Sequence, residues 1–175
     1  PISIRAAYLY LDGQHEGEGT KLTKIAPDGQ EQEVGNVFTK NIKSSDFGLS
    51  WGNMGDGWYV ATHYNYAKAT GYDNASKTTT PSESYIVSKA IDLSESKGAT
   101  LEFSYVLRYV TRNGAAVEGV KNQVLITDNY TGDPATTKWT DITGTLKEGV
   151  DWTTWETYKH DLSAFKGKKS VVVAL

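Results

Sequence analysis

The stretch Leu101-Glu-Phe-Ser-Tyr-Val-Leu-Arg-Tyr109 alternates large apolar residues with smaller or polar ones. Successive side chains of a strand point to opposite faces, so this spacing predicts a strand buried on one side and wetter on the other. The same period recurs in residues 84–90, 122–127, 154–160 and 169–175. Turn formers separate these runs: Ser96-Lys-Gly98, Arg112-Asn-Gly114, Thr131-Gly-Asp-Pro134 and Lys166-Gly-Lys168. No long stretch carries a helical stripe. Short strands with frequent turns predict an all-β chain, an antiparallel β-sandwich of jelly-roll type rather than a βαβ fold.

Working outward, the N-terminal part differs in tone. Residues 2–11 read as a strand, followed by the polar, Gly-rich Asp12-Gly-Gln-His-Glu-Gly-Glu-Gly19. Residues 21–25 and 31–39 form an expected hairpin around Pro27-Asp-Gly29, a good turn sequence. The expected organisation is a hairpin extension over residues 1–40 and a main domain over residues 41–175. Residues 67–81, rich in Ala, Ser, Thr, Lys and Asn, read as a long exposed loop.

Composition narrows the function classes. The chain has 175 residues, 38% of them hydrophobic, which is ample for a packed core. Its aromatics are weighted to 11 Tyr and 5 Trp over 4 Phe. Tyr and Trp suit both half-exposed sheet surfaces and binding sites. The net charge is −3 and no basic stripe exists, which argues against a nucleic-acid partner. With no cysteine there is no thiol nucleophile, disulfide framework or Cys-type zinc site. No apolar run is long enough for a membrane span. The chain opens at Pro1 without a leader, which fits either a cytosolic protein or one whose signal segment has been removed.

The chemistry-bearing residues do not assemble into a catalytic motif. His15, His63 and His160 sit in no nucleophile motif, and there is no Gly-x-Ser-x-Gly elbow. Glycoside hydrolysis needs two facing carboxylates, and Glu102 and Glu156 read instead as solvent-facing residues opposite Phe103 and Trp155. Gly17-Glu-Gly19 lacks the Lys-Ser/Thr of a phosphate loop. Calcium takes six to eight oxygen ligands from loops, and Asp46, Asp56, Asp73, Glu83 and the Asp128-Asn129…Asp133 loop offer them. Asp128, Asn129 and Asp133 also stand where turns want local hydrogen bonds, and that is the preferred reading for them.

Three stretches carry a family likeness. Glu83-Ser-Tyr-Ile-Val-Ser-Lys-Ala-Ile-Asp-Leu-Ser94 resembles a signature of acidic residue, Trp-Leu-Ile-Ser-Pro, then Ile-Asp-Leu, with Tyr85 for the usual Trp and Lys89 for the usual Pro. Gln123-Val-Leu-Ile-Thr-Asp-Asn-Tyr-Thr-Gly-Asp133, with Thr137-Lys-Trp-Thr-Asp-Ile142, resembles a strand, a Tyr-Thr-Gly-Asp loop and an aromatic strand. His160-Asp-Leu-Ser-Ala-Phe-Lys-Gly-Lys-Lys-Ser-Val-Val-Val-Ala174 resembles an Asp-Leu-Ser-Ala-Tyr-Lys-Gly-Lys turn into a late strand. In this order, from about Asp46 onward, they resemble the choice-of-anchor J domain of Bacteroidetes surface proteins, itself similar to cleaved-adhesin domains. The resemblance implies a jelly roll, export to the outer-membrane surface or beyond, and structural calcium held by Asp46 and Glu83. Family members continue past residues 171–175 into another strand, so the N-terminal hairpin or a partner's strand is expected to complete the sheet.

The leading expectation is a non-catalytic surface module that binds a polysaccharide or a host surface protein. Sugars stack on exposed rings, and Tyr64, Tyr66 and Tyr72 flank a polar loop suited to exposure. Trp51 and Trp58 suit the same platform or the core. The alternatives are an assembly subunit without a small ligand and, behind it, a glycan-active hydrolase.

Overall fold

The computed structural model describes residues 8–12, 21–35, 58–61, 66–69, 72–73, 75–79 and 85–175. The strands of the first half are β1 (Tyr8–Asp12), β2 (Lys21–Ile25), β3 (Glu31–Gly35), β4 (Trp58–Ala61), β5 (Tyr66–Ala69), β6 (Tyr72–Asp73) and β7 (Thr78–Thr79). Then come β8 (Gly98–Arg108), β9 (Thr111–Arg112), β10 (Ala115–Ala116), β11 (Leu125–Thr127), β12 (Thr140–Asp141), β13 (Glu156–Asp161) and β14 (Val172–Ala174). Among the described residues the only helical element is a 3-10 turn at Ser163–Phe165. The chain is all-β, and its strand pairings are antiparallel.

The alternation that opens the sequence reading becomes the centre of the larger sheet. In β8 the residues Leu101, Phe103, Tyr105 and Leu107 are buried, while Thr100, Glu102 and Ser104 between them are less so. Both edges of β8 are hydrogen-bonded. One takes β13, from Asp161↔Thr100 to Glu156↔Tyr105. The other takes β2 along Gly98 to Glu102 and then β1 along Tyr105 to Arg108, so two short strands share one long edge. Adding β3 beside β2, and β5 then β4 beside β1, completes a seven-stranded sheet.

The smaller sheet has the order β12-β11-β14. Residues 86–91 lie along the free edge of β14, bridging at Val87↔Ala174 and Ile91↔Val171. The Ile86 and Ser88 N–H groups donate to the Leu175 and Val173 carbonyls at 2.8 Å each. Side chains of both sheets meet in one core cluster. Leu101, Phe103, Tyr105 and Tyr158 come from the first sheet, Ile126, Val171 and Val173 from the second, with Ile86, Ile91 and Leu93 from the connecting segment. A smaller cluster on the other face of the second sheet joins Val87, Leu125, Val172 and Ala174, with Tyr85, Tyr130 and Trp139 packed against it.

The expected hairpin at Pro27-Asp-Gly29 is present. Gly29 takes φ +85°, a left-handed value that glycine adopts without steric cost, and its N–H donates to the Ala26 carbonyl at 2.9 Å. Ladders from β1 and β2 to β5 and β8 cross the expected boundary near residue 40. Residues 67–81 depart from the expected loop: β5 is paired on both sides, by β1 and β4, and β6 pairs with β7. Ala and Lys are weak strand formers, but two flanking ladders outweigh local propensity.

Tyr158 ties the two sheets together. It lies opposite Phe103 in register, its ring stacks on Phe103 with centroids 4.7 Å apart, and its hydroxyl donates to the Ile142 carbonyl. Burial, helped by the Asp141 carboxylate, pushes its hydroxyl up to about 12. The unfolded tyrosine ionises near 10, so this group's contribution is fully present below pH ~10 and is lost as pH rises through the folded value. Tyr158→Phe is expected to lower stability near pH 7 by about 1–2 kcal/mol through the orphaned carbonyl. The variant should also lose less stability than the native chain between pH ~10 and ~12. Urea unfolding at both ends of that range checks this, and parallel pH profiles would contradict it.

Candidate binding site

The residues nominated by sequence fall unevenly. Trp51, Tyr64, Asp46 and Glu83 lie outside the described residues. Trp58 and Tyr66 stand at opposite ends of the β4–β5 ladder, in the pairs Trp58↔Ala69 and Ala61↔Tyr66. Tyr72 stands opposite Thr79 in the two-residue β6–β7 ladder.

The two carboxylates weighed for hydrolysis are kept apart by strand parity. Glu102 pairs with Lys159 and Glu156 with Tyr105, positions that face opposite sides of the sheet. Glu156 is therefore not on the solvent face as expected. It lies in the row of Tyr105 and Tyr158, at the edge of the core, where an ion pair with Lys147 at 3.0 Å compensates it. His160 stacks beside Tyr158, centroids 6.3 Å apart.

Several of the described aspartates serve as staples. Asp133 Oδ1 accepts from the Ala135 N–H at 2.9 Å, and Asp128 pairs with Lys168 at 2.9 Å. Asp92, Asp141 and Asp161 likewise each accept from the N–H two residues on. Hydrogen bonds from the Ser94, Thr143 and Ser163 hydroxyls, and then from these N–H groups, hold the carboxyls of Asp92, Asp141 and Asp161 below their ordinary range. Among the described residues no group of three or more His, Cys, Asp or Glu side chains is placed to hold a metal ion.

A different surface gathers binding chemistry. β8 ends at Arg108, and Tyr109 then takes φ +62°, a left-handed conformation that costs a non-glycine residue about 1–2 kcal/mol. The next turn is also left-handed, at Asn113 and Gly114, and closes the β9–β10 hairpin. A returning segment fixes the break. The Lys147 N–H donates to the Tyr105 hydroxyl at 2.9 Å, and the Gly149 N–H donates to the Leu107 carbonyl at 2.8 Å. Between them the Glu148 carboxylate accepts from the Val110 N–H at 3.2 Å and from the Thr111 hydroxyl. Asp151 accepts from the Thr153 and Thr154 N–H groups at 2.9 and 2.6 Å, which shapes the loop that carries Trp152.

The result is an exposed aromatic pair with a cation beside both rings. Tyr109 is 46% exposed, Trp152 38% and the neighbouring Val150 85%, all high for large apolar side chains. The two rings lie 5.8 Å apart and are tilted by 56°. The Arg108 guanidinium carbon lies 5.1 Å from the Tyr109 centroid and 4.9 Å from that of Trp152, within cation–π range of both. Strained backbone outside glycine clusters at ligand clamps, because surrounding structure must hold it there. The site offers ring surface for stacking and N–H donors for orientation, which is binding chemistry.

Sequence reading placed Tyr109 at the end of a strand and passed over Trp152. Two signals were available. Asp151-Trp152-Thr153-Thr154 is an Asp-x-Thr turn that displays the residue inside it. Tyr109 also falls where the strand must break before the Arg112-Asn-Gly114 turn.

No family model, curated protein or solved structure matches the chain. Among the described residues no helix is long and apolar enough to cross a membrane.

Replacing Tyr109 separates the patch from the fold. Glycine relieves the left-handed strain but adds unfolded-state freedom and removes the ring contacts, and these effects nearly cancel. Tyr109→Gly should change unfolding free energy by less than about 1 kcal/mol, whereas Phe103→Ala in the core should cost about 3–5 kcal/mol. Denaturant unfolding of the two variants checks this. Equal losses would mean that Tyr109 is structural.

Proposed function

We propose that this chain is a non-catalytic binding module of a secreted or surface-displayed protein, engaging a polysaccharide or a host surface protein. The observation that carries the reading is the exposed cluster of Tyr109, Arg108 and Trp152 on a backbone held left-handed by Glu148. A platform fixed before its ligand arrives loses little ordering entropy on binding. The jelly-roll architecture, surface display and calcium at Asp46 and Glu83 belong to the same proposal. They rest on the three family-like stretches, and the shared core of the two sheets suits a sandwich. Tyr64, with Tyr66 of β5 and Tyr72 of β6, is a second candidate contact on the same reading.

One observation favours an assembly subunit instead. Tyr85, Tyr130 and Trp139 pack on the outer face of the second sheet while staying only partly buried themselves, and such aromatic surface also suits a protein partner.

Thermal unfolding with calcium, with chelator and across a polysaccharide panel tests the proposal. A ligand that binds only the folded chain raises the midpoint, by about 5–10 °C at a hundredfold excess over Kd. At least one polysaccharide should do so, and Trp152→Ala should weaken it by about tenfold or more. Silence across the panel, with or without calcium, would favour the assembly reading.

A further inference from the structure

Arg108 carries more information than the rings beside it. Guanidinium has five N–H donors and no acceptor. The faces of Tyr109 and Trp152 attract its charge but take up none of its in-plane hydrogen bonds. The two acids of the returning segment are engaged elsewhere: Glu148 by Val110 and Thr111, Asp151 by Thr153 and Thr154. Among the described residues the ion pairs are Lys147–Glu156 and Lys168–Asp128, and Arg108 belongs to neither. The site therefore combines stacking surface with a donor-only reader whose fork meets no carboxylate among the described residues.

That combination selects among glycans. A neutral sugar hydroxyl both donates and accepts, and a lone guanidinium answers only half of it. A carboxylate accepts without donating and takes two parallel bonds from the guanidinium fork. The ring geometry narrows the choice again. Rings tilted by 56° do not form the flat strip that a crystalline polymer face would need, so they suit one sugar unit held against the wedge.

Resting on the binding-module reading above, we infer that the Arg108–Tyr109–Trp152 wedge binds a uronate-bearing polysaccharide. One sugar ring packs on the aromatic pair, and its carboxylate bridges the Arg108 guanidinium. Arg112 lies four positions along, in the exposed β9 strand.

The test uses the full chain and a matched pair of probes, polygalacturonate and its methyl ester, which share a backbone and differ in charge. Calorimetric titration at fixed salt should give about tenfold or more tighter binding to the charged form. Arg108→Gln should bring that affinity down to the ester's level. Arg108→Lys, with charge but no fork, should fall between. Equal binding of the two forms by the native chain, a comparison that needs no variant, would overturn the inference. So would an undiminished preference in Arg108→Gln, or equal binding of poly-glutamate, which would indicate an acidic peptide. Binding of neutral glycans without a uronate preference defeats this inference alone. Binding of no polysaccharide defeats the module reading with it.

Discussion

The structure depends on β8 being bonded along both edges while one of its faces feeds the core. Ladders run along residues 98–102 and 105–108 on one edge and 100–105 on the other, and a strand paired in this way can sink Leu101, Phe103, Tyr105 and Leu107 into the shared cluster. Phe103 and Tyr158 then join adjacent strands by their stacked rings, and the Tyr158 hydroxyl reaches across to Ile142 beside the second sheet. The same strand positions the candidate site. Its last inward residues, Tyr105 and Leu107, anchor the returning segment through a hydroxyl and a carbonyl, and that segment brings Glu148 and Trp152 to Arg108 and Tyr109.

A second device recurs in the loops. Asp28, Asp92, Asp133, Asp141, Asp151 and Asp161 each accept from the N–H two residues further on, all at 2.9 Å. Such turns make a strand-rich chain reverse direction with defined geometry. Six of the chain's 21 acidic residues thereby serve local structure, scattered one carboxylate at a time. Among the described residues these acids do not come together in a group of three or more, and Glu102 and Glu156 stand on opposite faces of the sheet.

How much could be read in advance varies with the physics involved. The period-two runs and turn signals located β8, β13, β14 and the β2–β3 hairpin well, because burial on one face writes itself into the residue order. β5 was missed because Tyr66-Ala-Lys-Ala69 has no such pattern, and its place comes from the ladders on either side. Asp133 was legible as turn chemistry, since its bond to the Ala135 N–H is local, whereas Asp128 departs from that reading and pairs with the distant Lys168. The Arg108–Tyr109–Trp152 wedge was not. It joins positions some forty residues apart through a backbone break, and nothing at Trp152 alone announces its partner.

The central claim is that ligand recognition occurs where β8 breaks into the left-handed Tyr109 and meets the returning loop. Amide NMR of the full chain, titrated with the glycan that most raises its thermal midpoint, addresses it directly. The account predicts the largest shifts at residues 108–111 and 148–152, with the Trp152 indole N–H among them. Shifts confined to residues 64–72, or to the Tyr130 and Trp139 face, with the wedge unmoved, would contradict it.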